Sequence, residues 1–194
     1  AASLDAISNG RVELGVGLGW QEEEYEASGI PFDQRVKTFC ETLDICQSLW
    51  TGDPVSHKGE IFELNDIWCH PTPPQGSDIP LLFGVKMTEF NAQKIAKIGH
   101  GWIPIKTSRD FISEGSEKLN HAFKEAGRDD KPRIRGQLPT CVDSNGVPSV
   151  KLTLKELEKS MEAGLEEIEV FPINFARSPD HLREVLELIG ELKK

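Results

Sequence analysis

Short apolar stretches alternate with amphipathic ones along this chain, and that rhythm constrains the fold more than any single motif. Residues 11–16 (RVELGV) read as a strand ending in glycines. Residues 80–85 (PLLFGV) form a near-continuous apolar run, as expected of a strand covered on both faces. Further strands are expected at 101–105, within 133–142 and at 167–173. Between and after them, helical spacing of apolar residues predicts helices over 32–50, 88–98, 108–126, 153–163 and 178–192. Ser108, Thr153 with Glu156, and Ser178 followed by Pro179 are read as N-terminal caps. Residues 54–67 look like a small hairpin turning near Lys58-Gly59. The prolines at 71, 73, 74 and 80 make the next stretch an extended connection. Five strands alternating with five helices imply an α/β fold with a parallel sheet and helices outside it. With no charge run or low-complexity linker, residues 1–194 read as one domain.

Composition excludes several functions. The 194 residues carry 22 Lys and Arg against 32 Asp and Glu, a formal net charge of -10. Phosphate-backbone binding needs basic patches, so nucleic acid is not expected as a partner. No apolar run approaches the ~18 residues of a membrane span, and no secretory leader is visible. Cys40, Cys46, Cys69 and Cys141 form no CxxC pair and fit no zinc spacing, so no metal site is expected. Reduced thiols of a cytoplasmic protein are the simplest reading.

Gly15, Gly17 and Gly19 follow the first strand, with Trp20 directly behind. Closely spaced glycines let a ring or a phosphate approach the backbone. The spacing is not the dinucleotide fingerprint, because the third glycine comes two residues after the second rather than three. A Gly-rich turn without a ligand remains open on these residues alone. Gly84, Val85, Lys86 and Thr88 form a second candidate, at a strand end just before a helix. A helix N-terminus with free N–H groups suits a phosphate, and Lys86 adds charge; an ordinary cap beside an exposed lysine is the competing reading. Trp102 either packs in the core or stacks on a ligand ring. His57, His70, His100, His121 and His181 show no metal-binding or triad spacing, and no nucleophile turn exists. The catalytic residues are therefore unknown.

Residues 4–20 (LDAISNGRVELGVGLGW) resemble the signature of the bacterial luciferase-like oxidoreductases, the flavin- or F420-dependent (β/α)8 TIM-barrel enzymes. The likeness continues through residues 24–32 (EYEASGIPF), Arg35, Glu41, 49–51 (LWT), 59–62 (GEIF), Pro71, Pro73 and Gln75. Gly101-Trp102 is similar to the family's DGW step, with His100 where Asp is common. The resemblance implies a partial barrel, strands four to eight, with residues 54–67 as a hairpin insertion. Ala1 is not a methionine, and residues 1–8 read as the tail of the helix before strand four, so strands one to three are expected to be missing. It further implies F420 or FMN as cofactor, with Gly15, Gly17, Gly19 and Trp20 beside the ring and Gly84, Val85, Lys86 and Thr88 near the phosphate. The family often has Gly-Gly where this chain has Gly84-Val85. A small organic substrate would be reduced, oxidised or monooxygenated, the cofactor carrying the chemistry. Five strands cannot close an eight-stranded barrel, so a homo-oligomer, a dimer covering open sheet edges, is expected. The alternative is a non-catalytic half-barrel that self-associates and binds no cofactor; a third reading is an assembly that rebuilds a phosphate-binding pocket across two chains.

Overall fold

The computed structural model describes residues 1–176 and 178–190, and the chain divides into two compact units, Ala1–Leu81 and Leu82–Lys194. The alternation expected from the sequence is present in both.

In the first unit, helix α1 (Ala2–Ser8) leads to strand β1 (Leu14–Gly17). The strand lies later than expected: residues 11–13 are outside it, and Gly15 and Gly17 belong to the strand rather than to the loop after it. The reason is a long-range anchor. Asp5 is fully buried, and its carboxylate accepts from the N–H of Val12 (3.2 Å), the N–H of Gln75 (3.0 Å) and the Gln75 side-chain amide (2.8 Å). The same Gln75 amide donates to Val12 O. This clamp draws residue 12 out of the ladder, and pairing begins only where Leu14 N–H donates to Pro80 O at 2.8 Å.

Burial alone would push the Asp5 carboxyl upward, but the Gln75 N–H, the Gln75 amide and the Val12 N–H together hold it below the ordinary aspartate range. A depressed folded-state pKa contributes stability that is complete above the unfolded-state value and is lost as pH falls through the folded one. Thermal melts from neutral pH to about pH 3 should therefore show an acid loss in the wild type. Asp5→Asn should be less stable at neutral pH and have a flatter acid limb. Parallel acid limbs in the two proteins would show that Asp5 is not the group responsible.

Helices α2 (Glu22–Ala27) and α3 (Arg35–Trp50) follow, the latter preceded by a 3-10 turn, Phe32–Gln34. Leu43, Ile45 and Trp50 bury the inner face of α3. The hairpin is as expected: β2 (Val55–Lys58) pairs antiparallel with β3 (Glu63–Ile67), and Gly59 N–H closes the turn on Phe62 O. Glu41 on α3 ties it down, accepting from Phe62 N–H (2.8 Å), from Ile61 N–H (3.1 Å) and facing His57 Nε2 at 3.0 Å.

In the second unit the strands run parallel in the order β4 (Leu81–Gly84), β5 (Gly101–Trp102), β6 (Arg133–Gln137), β7 (Glu167–Glu169). Helices α4 (Glu89–Ile98), α5 (Arg109–Glu125) and α6 (Val150–Glu162) connect them, and α7 (Pro179–Gly190) closes the unit. Ile95, Ile112, Leu119, Phe123, Ile134 and Leu157 form the buried layer between helices and sheet.

Three further boundaries differ from expectation. β5 is shorter than 101–105: Ile103 N–H still reaches Phe83 O (2.9 Å), but Pro104 has no N–H to continue. β7 stops at Glu169, because Pro172 opens a 3-10 turn, Pro172–Asn174. α6 starts earlier than 153: Ser149 is the cap, accepting from Leu152 N–H, while Thr153 is buried inside the helix and accepts from Cys141 N–H at 3.0 Å. Ser108 occupies the cap position of α5, yet its side chain makes no capping bond. Ser178 does cap α7, accepting from His181 N–H, and Pro179 is its first residue; positions 191 and 192 of that expected helix lie outside the described residues. Among the described residues no helix is long and apolar enough to cross a membrane.

Candidate functional site

The C-terminal ends of parallel strands are where an α/β fold presents its loops and helix N-termini to a ligand. In the second unit Gly84 ends β4, and the loop after it carries Val85, Lys86 and Thr88. Three bonds fix it. Trp102 Nε1–H donates to Val85 O at 2.8 Å, Asn91 Nδ2 donates to Lys86 O at 2.8 Å, and Thr88 Oγ1 accepts from Asn91 N–H at 3.2 Å as the cap of α4. Thr88 thus spends its hydroxyl on the helix. The backbone N–H groups of Lys86 and Met87 donate to nothing among the described residues, and Lys86 is exposed without an ion pair there. The nearby Glu114 is engaged by Lys118 at 2.6 Å, which holds its carboxyl below the ordinary range. The loop therefore offers two free amides, a lysine and the positive end of α4.

The neighbouring strand ends form an open cleft of about 400 Å³ between the loops after β5 and β6. Lys106, Ser108, Gln137, Thr140 and Glu156 give it polar walls. Sequence reasoning singled out Ser108 and Glu156 only as capping residues and missed the others, because the cleft wall is built from two loops some 30 residues apart and from α6. Thr107 lies under it: its hydroxyl donates to Gln137 O at 3.0 Å, and its carbonyl accepts from Ser160 Oγ. It joins β5, β6 and α6.

Below the cleft, β6 and β7 put charge on the sheet face opposite Ile134 and Gly136. Glu167 accepts from Arg133 Nε and Arg135 Nε, each at 2.7 Å. No motif announced this cluster; strand alternation together with the register Arg135↔Glu167 creates it.

In the first unit, Gly15 and Gly17 are exposed positions of β1, Gly19 has φ +70°, and Trp20 is 81 % exposed. A positive φ here explains the glycine at 19. Tyr25 lies over it, its hydroxyl donating to Leu18 O and its ring 3.7 Å from where a Gly19 Cβ would stand. The aromatic side chain of α2 thus holds the loop after β1 in shape. Trp102, by contrast, is fully buried, which selects the packing reading for it.

The sequence model of the luciferase-like monooxygenases matches residues 1–146. The chain belongs to that family. An uncharacterised protein of Mycobacterium tuberculosis (strain ATCC 25618 / H37Rv) is 34 % identical over 168 residues, 86 % of this chain and 55 % of the relative. The chain spans about half the length of the curated relatives it matches. Among solved structures, the coenzyme F420-dependent tetrahydromethanopterin reductase of Methanopyrus kandleri superposes with a TM-score of 0.71 at 16 % identity, covering 97 % of this chain and 75 % of that one. The oxygenating constituent of 3,6-diketocamphane monooxygenase from Pseudomonas putida, in complex with FMN, gives 0.56 at 20 % identity, covering 72 % and 43 %. These likenesses show the α/β fold; the first of these two proteins depends on F420 and the second is seen with FMN.

Proposed function

We propose that this chain is part of an oxidoreductase that binds F420 or FMN and acts on a small organic substrate. The observation that carries this reading is the loop after β4, where the unbonded N–H groups of Lys86 and Met87, the exposed Lys86 and the N-terminus of α4 come together. Donors of this kind suit a phosphate group, which both cofactors possess. Gly84 and Val85 carry the backbone into the loop, and Thr88 holds its far end. By family resemblance, Gly15, Gly17, Gly19 and Trp20 of the first unit are the candidates for the ring. Either cofactor supplies the hydride chemistry when bound; the chain's own residues bind and orient it.

A second reading, self-association without cofactor, is favoured by exposed apolar side chains. Ile7 and Leu4 on α1 are 83 % and 64 % exposed, and Ile173 after β7 is 78 % exposed. Apolar surface of this kind is covered by association when the protein is concentrated. Under this reading a dimer forms and no cofactor binds.

Titrating the purified chain with FMN and with F420, followed by tryptophan fluorescence, with light scattering on the same sample, separates the two. Micromolar binding of either cofactor that weakens on Gly84→Val supports the oxidoreductase reading. No binding with a dimer mass supports the second. A monomer that binds neither cofactor sinks both.

A further inference from the structure

We propose that Trp102 is a positioning residue for the phosphate loop: its buried indole N–H, bonded to Val85 O, sets the direction in which the Lys86 and Met87 amides point. The inference rests on the reading of that loop as the cofactor's phosphate contact.

The indole cannot move. Trp102 is fully buried, and its backbone is registered against Phe83 of β4 and Ile134 of β6. Its six-membered ring lies over Gly115 of α5, so closely that a Cβ at 115 would stand 2.2 Å from Cζ3. The Phe111 ring packs beside it, centroids 5.7 Å apart. The donor is therefore fixed in space before the loop is considered. It takes the carbonyl of Val85 at 2.8 Å, and one residue on, Asn91 Nδ2 takes the carbonyl of Lys86 at the same distance.

In a trans peptide the carbonyl and the following N–H point in opposite directions. Tying the Val85 carbonyl to the indole turns the Lys86 N–H away from it; tying the Lys86 carbonyl to Asn91 does the same for Met87. Those two amides, like those of Val85, Thr88 and Glu89 around them, donate to nothing among the described residues, and they are the two whose directions these carbonyl bonds set. Packing on Gly115 uses the far edge of the six-membered ring, Cζ3 and Cη2, and leaves the N–H on the opposite side of the indole free to bond Val85 O. The packing against Gly115 and Phe111 holds the ring, and the N–H adds a bond to the loop.

The test compares Trp102→Phe with Leu119→Ala, a fully buried α5 residue with no hydrogen bond to the loop, which serves as a control for lost stability. Backbone 15N relaxation reports the loop directly. The amides of Lys86 and Met87 should have order parameters of about 0.85 in the wild type and in Leu119→Ala, falling below about 0.6 in Trp102→Phe. A loop that is correctly arranged for only about a tenth of the time raises the apparent Kd about tenfold. FMN and F420 should accordingly bind Trp102→Phe about tenfold more weakly, with Leu119→Ala unchanged. An ordered loop in Trp102→Phe, or equal loosening in both variants, overturns the proposal. Should Trp102→Phe not fold, the indole proton of the wild type decides: slowed exchange supports the bond, and exchange at the rate of free indole overturns it. If the wild type binds neither FMN nor F420, the cofactor reading falls, while the relaxation data still decide whether Trp102 orders the loop.

Discussion

Replacing Gly101 with alanine is expected to cost about 3 kcal/mol, the upper end of overpacking penalties, and to lower the melting temperature by about 6–12 °C. A Cβ at this position would stand 2.1 Å from the Arg133 carbonyl oxygen and 2.6 Å from Leu82 Cδ2. The leucine methyl can rotate away, but the carbonyl belongs to the backbone of β6. It cannot retreat without separating β5 from β6, whose pairing sets Gly101 opposite Arg133 and whose ladder is entered by Arg133 N–H on His100 O at 2.9 Å. The Gly101-Trp102 step is thus a constraint of strand spacing on one residue and of core packing on the next. Thermal unfolding by circular dichroism checks the prediction; a melting temperature within 2 °C of wild type would show that the sheet absorbs the methyl group.

Lys86→Glu should weaken FMN binding by at least about 100-fold, with little change in folding stability. Charge-assisted hydrogen bonds are worth about 1.5–3 kcal/mol, and the reversed charge adds repulsion against the phosphate, for about 3 kcal/mol in all, or two decades in Kd. Lys86 is exposed and makes no ion pair among the described residues, so the fold has little to lose from the change. The effect should carry an electrostatic signature. Raising the salt concentration should weaken the wild type and narrow its difference from the variant, because exposed charges are screened. Equal affinities of the two proteins at low salt would remove Lys86 from the phosphate contact and leave only the loop amides as candidates.

Gly101 and Lys86 also differ in how far each could be read from the sequence. Lys86 was visible because its context is local: an apolar strand, a glycine, a lysine and a cap within five residues. Hydrophobic periodicity and capping residues act over one or two turns of chain. They placed the β4–α4 step, the hairpin at 54–67, the cap at Ser178 and the long helices within a few residues. Family resemblance extended the same local patterns to a fold and a cofactor class. Residues whose role depends on partners far along the chain were not legible in that way. Asp5 shapes the start of β1 through Gln75, 70 residues later. Thr153 has the spacing of a capping residue, yet its hydroxyl is taken by Cys141 N–H, so the helix starts at Val150 instead.

The sequence by itself determined the order of strands and helices, the glycines at the ends of β1 and β4, and, through resemblance, membership of the luciferase-like family. The first two follow from side-chain periodicity and turn chemistry, which each short segment carries within itself; the family follows from the likeness of whole stretches such as residues 4–20. The tertiary structure alone decided that Trp102 is a core residue whose indole N–H bonds the loop after β4. It also decided that Glu167 gathers Arg133 and Arg135 on one sheet face, and that Gly115 and Gly101 are glycines because a ring and a carbonyl occupy their side-chain space. Each of these depends on register and close packing between segments far apart in the chain, and the 2.1 Å that would separate a Cβ at Gly101 from the Arg133 carbonyl oxygen has no counterpart in the order of the residues.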